Sequence, residues 1–362
     1  MKLKTVLIAP DKFKGSLTAQ QFCDIVKNEI KKFDKNIDVI SCPLADGGEG
    51  TLSCFVDNLK AKLITKYFSN ANFKKKKSSY ALLGKVAFIE AAQTCGLYKT
   101  KIKNPCYTTT LGVGEQIRDA IKNGAEKIFL TIGGSATNDA GTGMAVGLGY
   151  KFCDKENKEF IPTGNSLNMI SKIEFPKEKL DVEFITLCDV KNVLYGKNGA
   201  AYIYAKQKGA SDEDLKLLDD NLKAFNKICK KYGSDFSKVE GSGAAGGLGA
   251  GAIFFLSSKL ESGIETIFKL VDIDNKISKA DLIITGEGKI DKQSKCGKVV
   301  FSLKAKCKNK KLVAFCGVNK LKKQDFDILE INDKNCSLEK NISNTKKNLC
   351  KHIKNYLKNY LI

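Results

Sequence analysis

The stretch LKTVLIAPDKFKGS at residues 3–16 decides the fold. Its first half is a short apolar run with the length of a buried strand, and its second half carries the proline, the glycine and the charges of a loop. The apolar residues between 22 and 33 then recur at the spacing of one helix face. Thr18 and Gln21 have the spacing of a capping box, which predicts a helix start. The stretch therefore predicts a strand, a loop and a helix.

The same order of elements returns along the chain. Val39 and Ile40 mark a second short strand, which leads into the loop 43–50 and a helix from Thr51. Near the C-terminus the predicted order is strand, helix, strand and helix, at residues 282–285, 299–305, 312–316 and 338–361. Repeated strand, loop and helix units favour a parallel α/β sheet.

The middle of the chain has a different pattern. Its predicted elements are a hairpin around residues 80–90, a helix near 115–122, a strand at 128–132 and a hairpin across 154–157. We therefore predict a two-domain α/β fold, in which a flavodoxin- or Rossmann-like parallel-sheet domain is interrupted by an inserted mixed α+β domain. The first domain is predicted to comprise residues 1–70 and 272–362, and the inserted domain residues 71–271.

Composition limits the class of protein. The chain has 362 residues, 43% of them hydrophobic, which suits a globular protein of two domains. Its thirteen cysteines are scattered, so a disulfide framework or a zinc ribbon is not expected. The first apolar run is too short for a signal peptide, and no stretch reaches the roughly 20 apolar residues of a membrane span. We therefore expect a cytoplasmic protein with no membrane partner.

Histidine and arginine are almost absent. His352 is the only histidine, so acids, bases and metal ligands are expected to be Asp or Glu rather than parts of a histidine triad. Arg118 is the only arginine, and the net charge of +21 therefore comes from lysine. Because specific nucleic-acid recognition relies on arginine, we interpret the excess as solvated surface and expect no nucleic-acid partner. A lysine-rich nucleic-acid-binding protein is the alternative from another class.

The loop after the first predicted strand has the residues of an anion site. In an open parallel sheet, ligands bind at the carboxyl ends of the strands. The loop offers Asp11, Lys12, Lys14 and Ser16 just before a helix N-terminus, where an anion is favoured. A plain turn with a helix cap is the alternative.

The loop after the second predicted strand places Asp46 and Glu49 among three glycines. Glycine costs entropy on folding, so this density indicates backbone held close to another group. A solvated turn is the alternative.

Two longer glycine-rich runs are candidate phosphate cradles. The run at 133–143 follows a predicted strand and supplies backbone donors and small hydroxyls, although no Walker A sequence is present. Its candidate nucleotide-binding residues are Gly133, Gly134, Ser135, Thr137 and Asn138. The run at 241–251, with Gly243 and Gly246, is a second candidate, and close packing of small residues is its alternative explanation.

Carboxylates follow two more predicted strands. Asp189 comes directly after one, and Glu287 and Asp291 follow the strand 282–285 together with Lys289. Carboxylates without histidine, beside lysines and glycine loops, suit phosphoryl transfer with Mg²⁺. These residues therefore predict an α/β enzyme that handles phosphate.

Six segments together resemble the type 1 glycerate kinase family. They occur in the order found in that family, at residues 9–17, 44–51, 133–139, 188–190, 243–247 and 286–294. The resemblance implies a two-domain α/β enzyme of glycerate or glyoxylate metabolism. It also implies transfer of the γ-phosphoryl group of ATP to D-glycerate with Mg²⁺, and 2-phosphoglycerate, the product of most members, is expected rather than 3-phosphoglycerate. A kinase for another small hydroxy or sugar acid is the alternative.

We expect an active site in a cleft between the two domains, with a role for each candidate residue. The candidate catalytic residues are Asp189, Lys14, Glu287 and Asp291. The candidate substrate-binding residues are Ser16, Asp46 and Glu49. Asp189 is the first candidate for the general base or a Mg²⁺ ligand, Asp291 is a second candidate ligand, and the sequence does not rank Glu287 against Asp291 as alternative bases. The oligomeric state is not predicted.

Overall fold

Two units with separate cores are present in the computed structural model, which describes residues 3–295, 297–322 and 324–360. The first unit comprises Met1–Asp46, Ser53–Lys60 and Ile264–Ile362, and the second comprises Gly47–Leu52 and Ala61–Gly263. The predicted two-domain α/β architecture, with one domain interrupted by the other, is confirmed.

The strands are β1 (Thr5–Ile8), β2 (Asp38–Ser41), β3 (Lys62–Ser69), β4 (Lys75–Leu83), β5 (Val86–Glu90), β6 (Lys127–Thr131), β7 (Lys151–Cys153), β8 (Glu159–Phe160), β9 (Lys172–Glu174), β10 (Glu183–Leu187), β11 (Lys259–Glu261), β12 (Leu282–Ile290), β13 (Lys311–Asn319) and β14 (Asp327–Glu330).

The α-helices are α1 (Ala19–Phe33), α2 (Thr51–Leu59), α3 (Ala92–Cys95), α4 (Leu111–Lys122), α5 (Thr142–Gly147), α6 (Asp212–Lys230), α7 (Ala244–Leu256), α8 (Gly263–Leu270), α9 (Ile273–Lys279), α10 (Val299–Cys307) and α11 (Leu338–Tyr360). A π-helix at Ala201–Ala205 continues into a 3₁₀ turn at Lys206–Lys208. None of the helices in the described ranges has the length and low polarity needed to cross a membrane.

The first unit is built on a five-stranded sheet in the order β14-β13-β12-β1-β2, with every neighbouring pair parallel. Helices α1 and α11 contribute Phe22, Val26 and Ile353 to a core that also contains Ile284 and Phe315 of the sheet. Because the strands are parallel, all their carboxyl ends lie at one edge. That edge carries the loops in which the sequence predicts a site.

The predicted capping box of α1 is confirmed. Thr18 Oγ1 accepts a hydrogen bond from the Gln21 amide at 3.1 Å, and Gln21 Oε1 accepts one from the Thr18 amide at 2.9 Å. These two bonds satisfy amides that the helix itself leaves without a carbonyl partner. They fix where α1 begins and so where the preceding loop ends.

The second unit is built on a six-stranded sheet in the order β11-β10-β6-β5-β4-β3. Its β11, β10, β6 and β5 are parallel, whereas β4 pairs antiparallel with both β3 and β5. A smaller antiparallel sheet has the order β8-β7-β9. The predicted hairpins around 80–90 and across 154–157 are confirmed as β4–β5 and β7–β8.

The chain passes into the second unit after Lys60, because β3 pairs along its whole length with β4 of that unit, and it returns to the first unit after Gly263. The domain boundaries predicted near residues 70 and 272 stay a prediction. One strand is longer than predicted. The strand predicted at 282–285 continues to Ile290, since it pairs with β13 through Glu287 and Lys289. Glu287 therefore lies in a strand and not in a loop.

Candidate active site

Three carboxylates lie at the carboxyl edge of the first unit's sheet. Asp11 follows β1, Asp46 follows β2, and Glu287 lies in β12, so they come from three neighbouring strands. The Asp11 amide donates to Gly286 O at 2.8 Å, and the Leu44 amide donates to the carbonyl of the residue before Asp11 at 2.8 Å. These bonds hold the loops after β1 and β2 beside β12. We call Asp11, Asp46 and Glu287 the carboxylate cluster.

Burial and mutual repulsion change the acidity of this cluster. Burial, the charge of Asp46 and, more weakly, the charge of Glu287 raise the pKa of Asp11 to about 7, although Lys12 and a hydrogen bond from its amide at 2.6 Å lower it in part. Burial also raises the pKa of Glu287, with Asp46 adding to the effect, while Lys298 at 3.6 Å opposes it. Asp11 and Glu287 therefore bind protons more tightly than isolated carboxylates do.

The loop after β1, which the sequence predicts to bind an anion, lies close to β12, the strand that carries Glu287. Lys14 is exposed, Gly15 adopts a left-handed conformation with φ +82°, and Ser16 Oγ donates to Phe13 O at 3.2 Å. A Cβ on Gly288 would lie 3.3 Å from the Lys14 amide nitrogen, so β12 passes directly beside this turn. The structure therefore places Lys14 and Ser16 at the same sheet edge as Glu287.

Asp291 has a different environment from Glu287. Its carboxylate pairs with Lys289 Nζ at 2.6 Å, and its amide donates to Ser294 Oγ at 3.1 Å. Burial raises the pKa of Glu287, whereas the Asp291 carboxylate is engaged by a lysine. Of the two acids that the sequence did not rank, Glu287 has the environment of a base.

The first unit's residues fit a magnesium ion. Glu287 is 5% exposed, and its Oε1 is a buried atom with no hydrogen-bond partner in the described part of the chain. No group of three or more His, Cys, Asp or Glu residues arranged to hold a metal occurs within residues 3–295, 297–322 and 324–360. Mg²⁺ usually binds through one or two carboxylates and completes its shell with waters and substrate phosphates. The orphaned oxygen and the repulsion within the cluster suit such an ion.

In the second unit, a buried acid organises the loop 47–50. Glu90, at the end of β5, is 1% exposed, and its Oε2 accepts hydrogen bonds from the amides of Gly50 at 3.1 Å and Leu52 at 2.9 Å. Gln93 Nε2 donates to the other carboxylate oxygen at 3.1 Å. Glu90 was not among the predicted site residues. The sequence feature that could have identified Glu90 is its position as an acid at the end of an apolar strand.

The structure brings several predicted loops of this unit together. A Cβ on Gly133 would lie 2.8 Å from Gly48 Cα, so the two loops touch through their backbones. A Cβ on Gly47 would lie 3.5 Å from Asp189 Oδ2. Glu49 and Gly134 line the same cavity of about 10 Å³, which has room for about one water. The loops at 47–50 and 133–134 and the side chain of Asp189 therefore form one surface.

Asp189 is exposed and holds the chain where α8 begins. Its Oδ1 accepts hydrogen bonds from Ser262 Oγ at 2.6 Å and from the Gly263 amide at 2.9 Å. This is the pattern of a carboxylate at a helix N-terminus. The contacts supply a structural reason for an acid here, beside its predicted role as base or metal ligand.

The predicted phosphate loop is exposed only at its start. Gly133 is half-buried and Gly134 is exposed, whereas Ser135, Thr137 and Asn138 are buried. Thr137 Oγ1 and both polar side-chain atoms of Asn138 have no hydrogen-bond partner in the part of the chain that the structure describes. The loop therefore offers glycine backbone to a ligand and keeps its polar side chains inside.

Lys208 lies beneath this loop and was not predicted. It is 3% exposed, and its Nζ donates to Thr137 O at 2.7 Å and to Ser135 Oγ at 3.2 Å. No signal in the sequence separates this lysine from the many exposed ones.

The second glycine run packs against the first. A Cβ on Gly246 would overlap the Thr137 carbonyl oxygen, and one on Gly243 would overlap the Val193 carbonyl oxygen. The Ala140 amide donates to Gly246 O at 3.1 Å. Close packing therefore accounts for the glycines at 243 and 246 without a ligand.

Comparison with known proteins shows the family of the chain. The sequence pattern of the glycerate kinase family matches residues 6–361. The chain belongs to the glycerate kinase family. A Bacillus cereus relative named glycerate kinase is 40% identical over 301 residues, covering 81% of this chain and 79% of the relative. An Escherichia coli relative named glycerate 2-kinase is 38% identical over 303 residues, with coverage of 81% and 79%.

A solved structure extends the similarity to the whole fold. The crystal structure of a glycerate kinase 2 candidate from Salmonella typhimurium LT2 superimposes with a TM-score of 0.86 at 32% identity, covering 99% of this chain and 98% of that one. The prediction that this family member is a kinase is therefore confirmed.

Proposed function

We propose that this glycerate kinase family member transfers the γ-phosphoryl group of ATP to D-glycerate and releases 2-phosphoglycerate and ADP. The observation that carries the proposal is Glu287 in the carboxylate cluster, because its buried Oε1 has no hydrogen-bond partner in the described part of the chain and burial raises the pKa of its carboxyl, which suits an acid that takes the proton of an alcohol. The name of the Escherichia coli relative, glycerate 2-kinase, supports the 2-position. Membership of the type 1 branch is part of the proposal.

The first unit would bind and activate the acceptor. The Lys14 ammonium, at the loop before α1, would pair with the glycerate carboxylate, and Ser16 Oγ would donate a hydrogen bond to it. Asp46 is the half-buried member of the carboxylate cluster and would hold the acceptor hydroxyl. Glu49, which belongs to the second unit, stays a predicted hydroxyl partner. Glu287 would accept the proton, since burial raises the pKa of its carboxyl.

The second unit would hold the nucleotide. The exposed backbone of Gly133 and Gly134 can approach phosphate oxygens without a Cβ in the way. As the hydroxyl oxygen bonds to the γ-phosphorus, the bond to the β,γ-bridging oxygen breaks and ADP leaves. Mg²⁺ held by Asp46 would neutralise phosphate charge, and Asp189 and Asp291 are the other proposed ligands. An active site between the two domains stays a prediction.

The test measures ADP release from purified protein with ATP, Mg²⁺ and D-glycerate, with L-glycerate as the control acceptor. The phosphoglycerate isomer is then identified by ³¹P NMR. We expect ADP only with D-glycerate, and 2-phosphoglycerate as the product. ADP release with another small hydroxy acid, and not with D-glycerate, would replace the acceptor, and 3-phosphoglycerate would contradict the regiochemistry.

A further inference from the structure

Lys208 is a buried lysine at the end of a short 3₁₀ turn. It ends the 3₁₀ turn Lys206–Lys208, and Gly209 follows with φ +97°. Lys206 on the same turn keeps its side chain 61% exposed and pairs with Asp212, whereas Lys208 is 3% exposed. The turn therefore directs one lysine to solvent and one into the protein beneath residues 135–137.

Burying an ammonium group is costly unless its hydrogen bonds are used. The penalty is several kcal/mol, and a hydrophobic residue of similar volume is often as stable or more stable at such a position. Lys208 Nζ donates to Thr137 O and Ser135 Oγ, and Ser135 Oγ in turn donates to Ala245 O at 3.0 Å. The ammonium thus holds the turn that directly follows the exposed glycines of the loop.

The nearby acid Asp139 uses its carboxylate oxygens for hydrogen bonds to other groups rather than for an ion pair with Lys208. The carboxylate of Asp139 accepts hydrogen bonds from the Thr110 amide at 2.7 Å, from Thr110 Oγ1 at 2.8 Å, and from the amides of Gly141 and Gly143, each at 3.3 Å. Four donors already surround it. The Lys208 charge is therefore available to act through the loop backbone.

We propose that Lys208 is a positioning residue for nucleotide binding, whose buried ammonium fixes the 135–137 turn and makes the loop attractive to a polyphosphate. The buried polar atoms of Thr137 and Asn138 that have no partner support it, because they mark this turn as incomplete in the described chain. The inference rests on the proposed function only in taking the loop 133–138 as the nucleotide loop.

The burial of Lys208 predicts that nucleotide affinity depends on pH. Burial lowers the pKa of Lys208 to about 8, and the two titratable groups that face it, Cys95 and Asp139, oppose this shift. Burial also raises the pKa of Cys95 to about 12, so its thiol stays neutral where Lys208 titrates. Nucleotide affinity should therefore fall as the pH rises through about 8.

The experiment measures the binding of Mg-ADP by isothermal titration calorimetry between about pH 7 and pH 9.5, and the melting temperature of each protein. Lys208→Met is the test variant and Lys206→Met is its matched control on the same turn. We expect Lys208→Met to keep its melting temperature, to bind Mg-ADP at least about tenfold more weakly at pH 7, and to lose the pH dependence. Lys206→Met should match the wild type in all three.

The outcomes separate this inference from the proposed function. Unchanged affinity in Lys208→Met, or a wild-type affinity that does not fall above about pH 8, would overturn the positioning role. If Lys208→Met fails to fold, the pH dependence of the wild type alone decides. If the wild type binds neither Mg-ADP nor inorganic tripolyphosphate, the inference is wrong. If it binds Mg-ADP with the expected pH dependence but releases no ADP with D-glycerate, the acceptor assignment fails and the role of Lys208 stands.

Discussion

The carboxylate cluster of the first unit and the glycine loops of the second are built by opposite physical means. Asp11 and Glu287 are charged groups held in buried positions that raise the pKa of both carboxyls. The loops around Gly133 and Gly246 instead bring backbone against backbone, with no room for a Cβ. The carboxylate cluster contains mutually repelling acids, and the glycine loops depend on close backbone packing.

This difference predicts which changes affect activity and which affect folding. Removing a buried like charge relieves repulsion, so substitutions in the carboxylate cluster should spare or increase stability while they reduce turnover. Adding a Cβ to a glycine that has no room for it forces the backbone apart, so substitutions at those glycines should lower stability before any effect on function. A catalytic role is therefore easier to isolate in the first unit.

The largest expected effect is that of Gly246→Ala. Gly246 has φ +73° and its Cβ would overlap the Thr137 carbonyl oxygen, so we expect a loss of about 3 kcal/mol or more in the free energy of unfolding. Gly134→Ala is the matched control, because Gly134 has φ +76° but its nearest neighbouring atom would be 3.9 Å away. It should cost only about 1 kcal/mol. Thermal denaturation compares the two, and equal losses would contradict the role of packing.

The next effect is on catalysis. Glu287→Gln keeps the shape of the side chain but removes the proton acceptor, so we expect turnover to fall by about a hundredfold or more with little change in melting temperature. The measurement is steady-state ADP release. Asp327→Asn is the control, because it removes an acid of the same sheet that is 46% exposed and pairs with Lys311. Turnover within about threefold of wild type in Glu287→Gln would exclude it as the base.

Local patterns made most of the fold predictable. The apolar runs and the Thr18–Gln21 capping box depend on neighbouring residues, and both are confirmed. The unit to which β3 belongs was not predictable, because it depends on pairing with β4. The full length of β12 likewise depends on its pairing with β13, so Glu287 was placed in a loop.

The candidate site was predictable only in part, for a related reason. Glycines and acids at strand ends indicated loops that the structure places at sheet edges, but the properties of single residues in them depend on neighbouring strands. Asp11 was noted in its loop, yet its raised pKa needs Asp46 and Glu287 beside it. Lys208 looks like any other lysine until the fold buries it.

A smaller effect is expected on stability, through the charge of Asp11 in the carboxylate cluster. The pKa of Asp11 rises from an ordinary 3.8 to about 7 on folding, so the folded state holds the proton more tightly and stability should fall as the pH rises through that window. Asp11→Asn removes the charge. We expect the variant to be more stable than the wild type by about 1–3 kcal/mol near pH 8, and similar to it below about pH 4. A variant that is less stable than the wild type at pH 8 would contradict the repulsion of Asp11 by Asp46 and Glu287.

The smallest effect decides the role of Asp189. If this acid serves mainly to hold Ser262 and Gly263, Asp189→Asn keeps an oxygen acceptor and should retain both stability and turnover within about threefold. Asp189→Ala removes the acceptor and should cost about 1 kcal/mol. Melting temperatures and ADP release are measured for both variants. A hundredfold loss of turnover in Asp189→Asn with unchanged melting would instead make Asp189 the base, and catalysis would then depend on an exposed carboxylate rather than on the buried cluster.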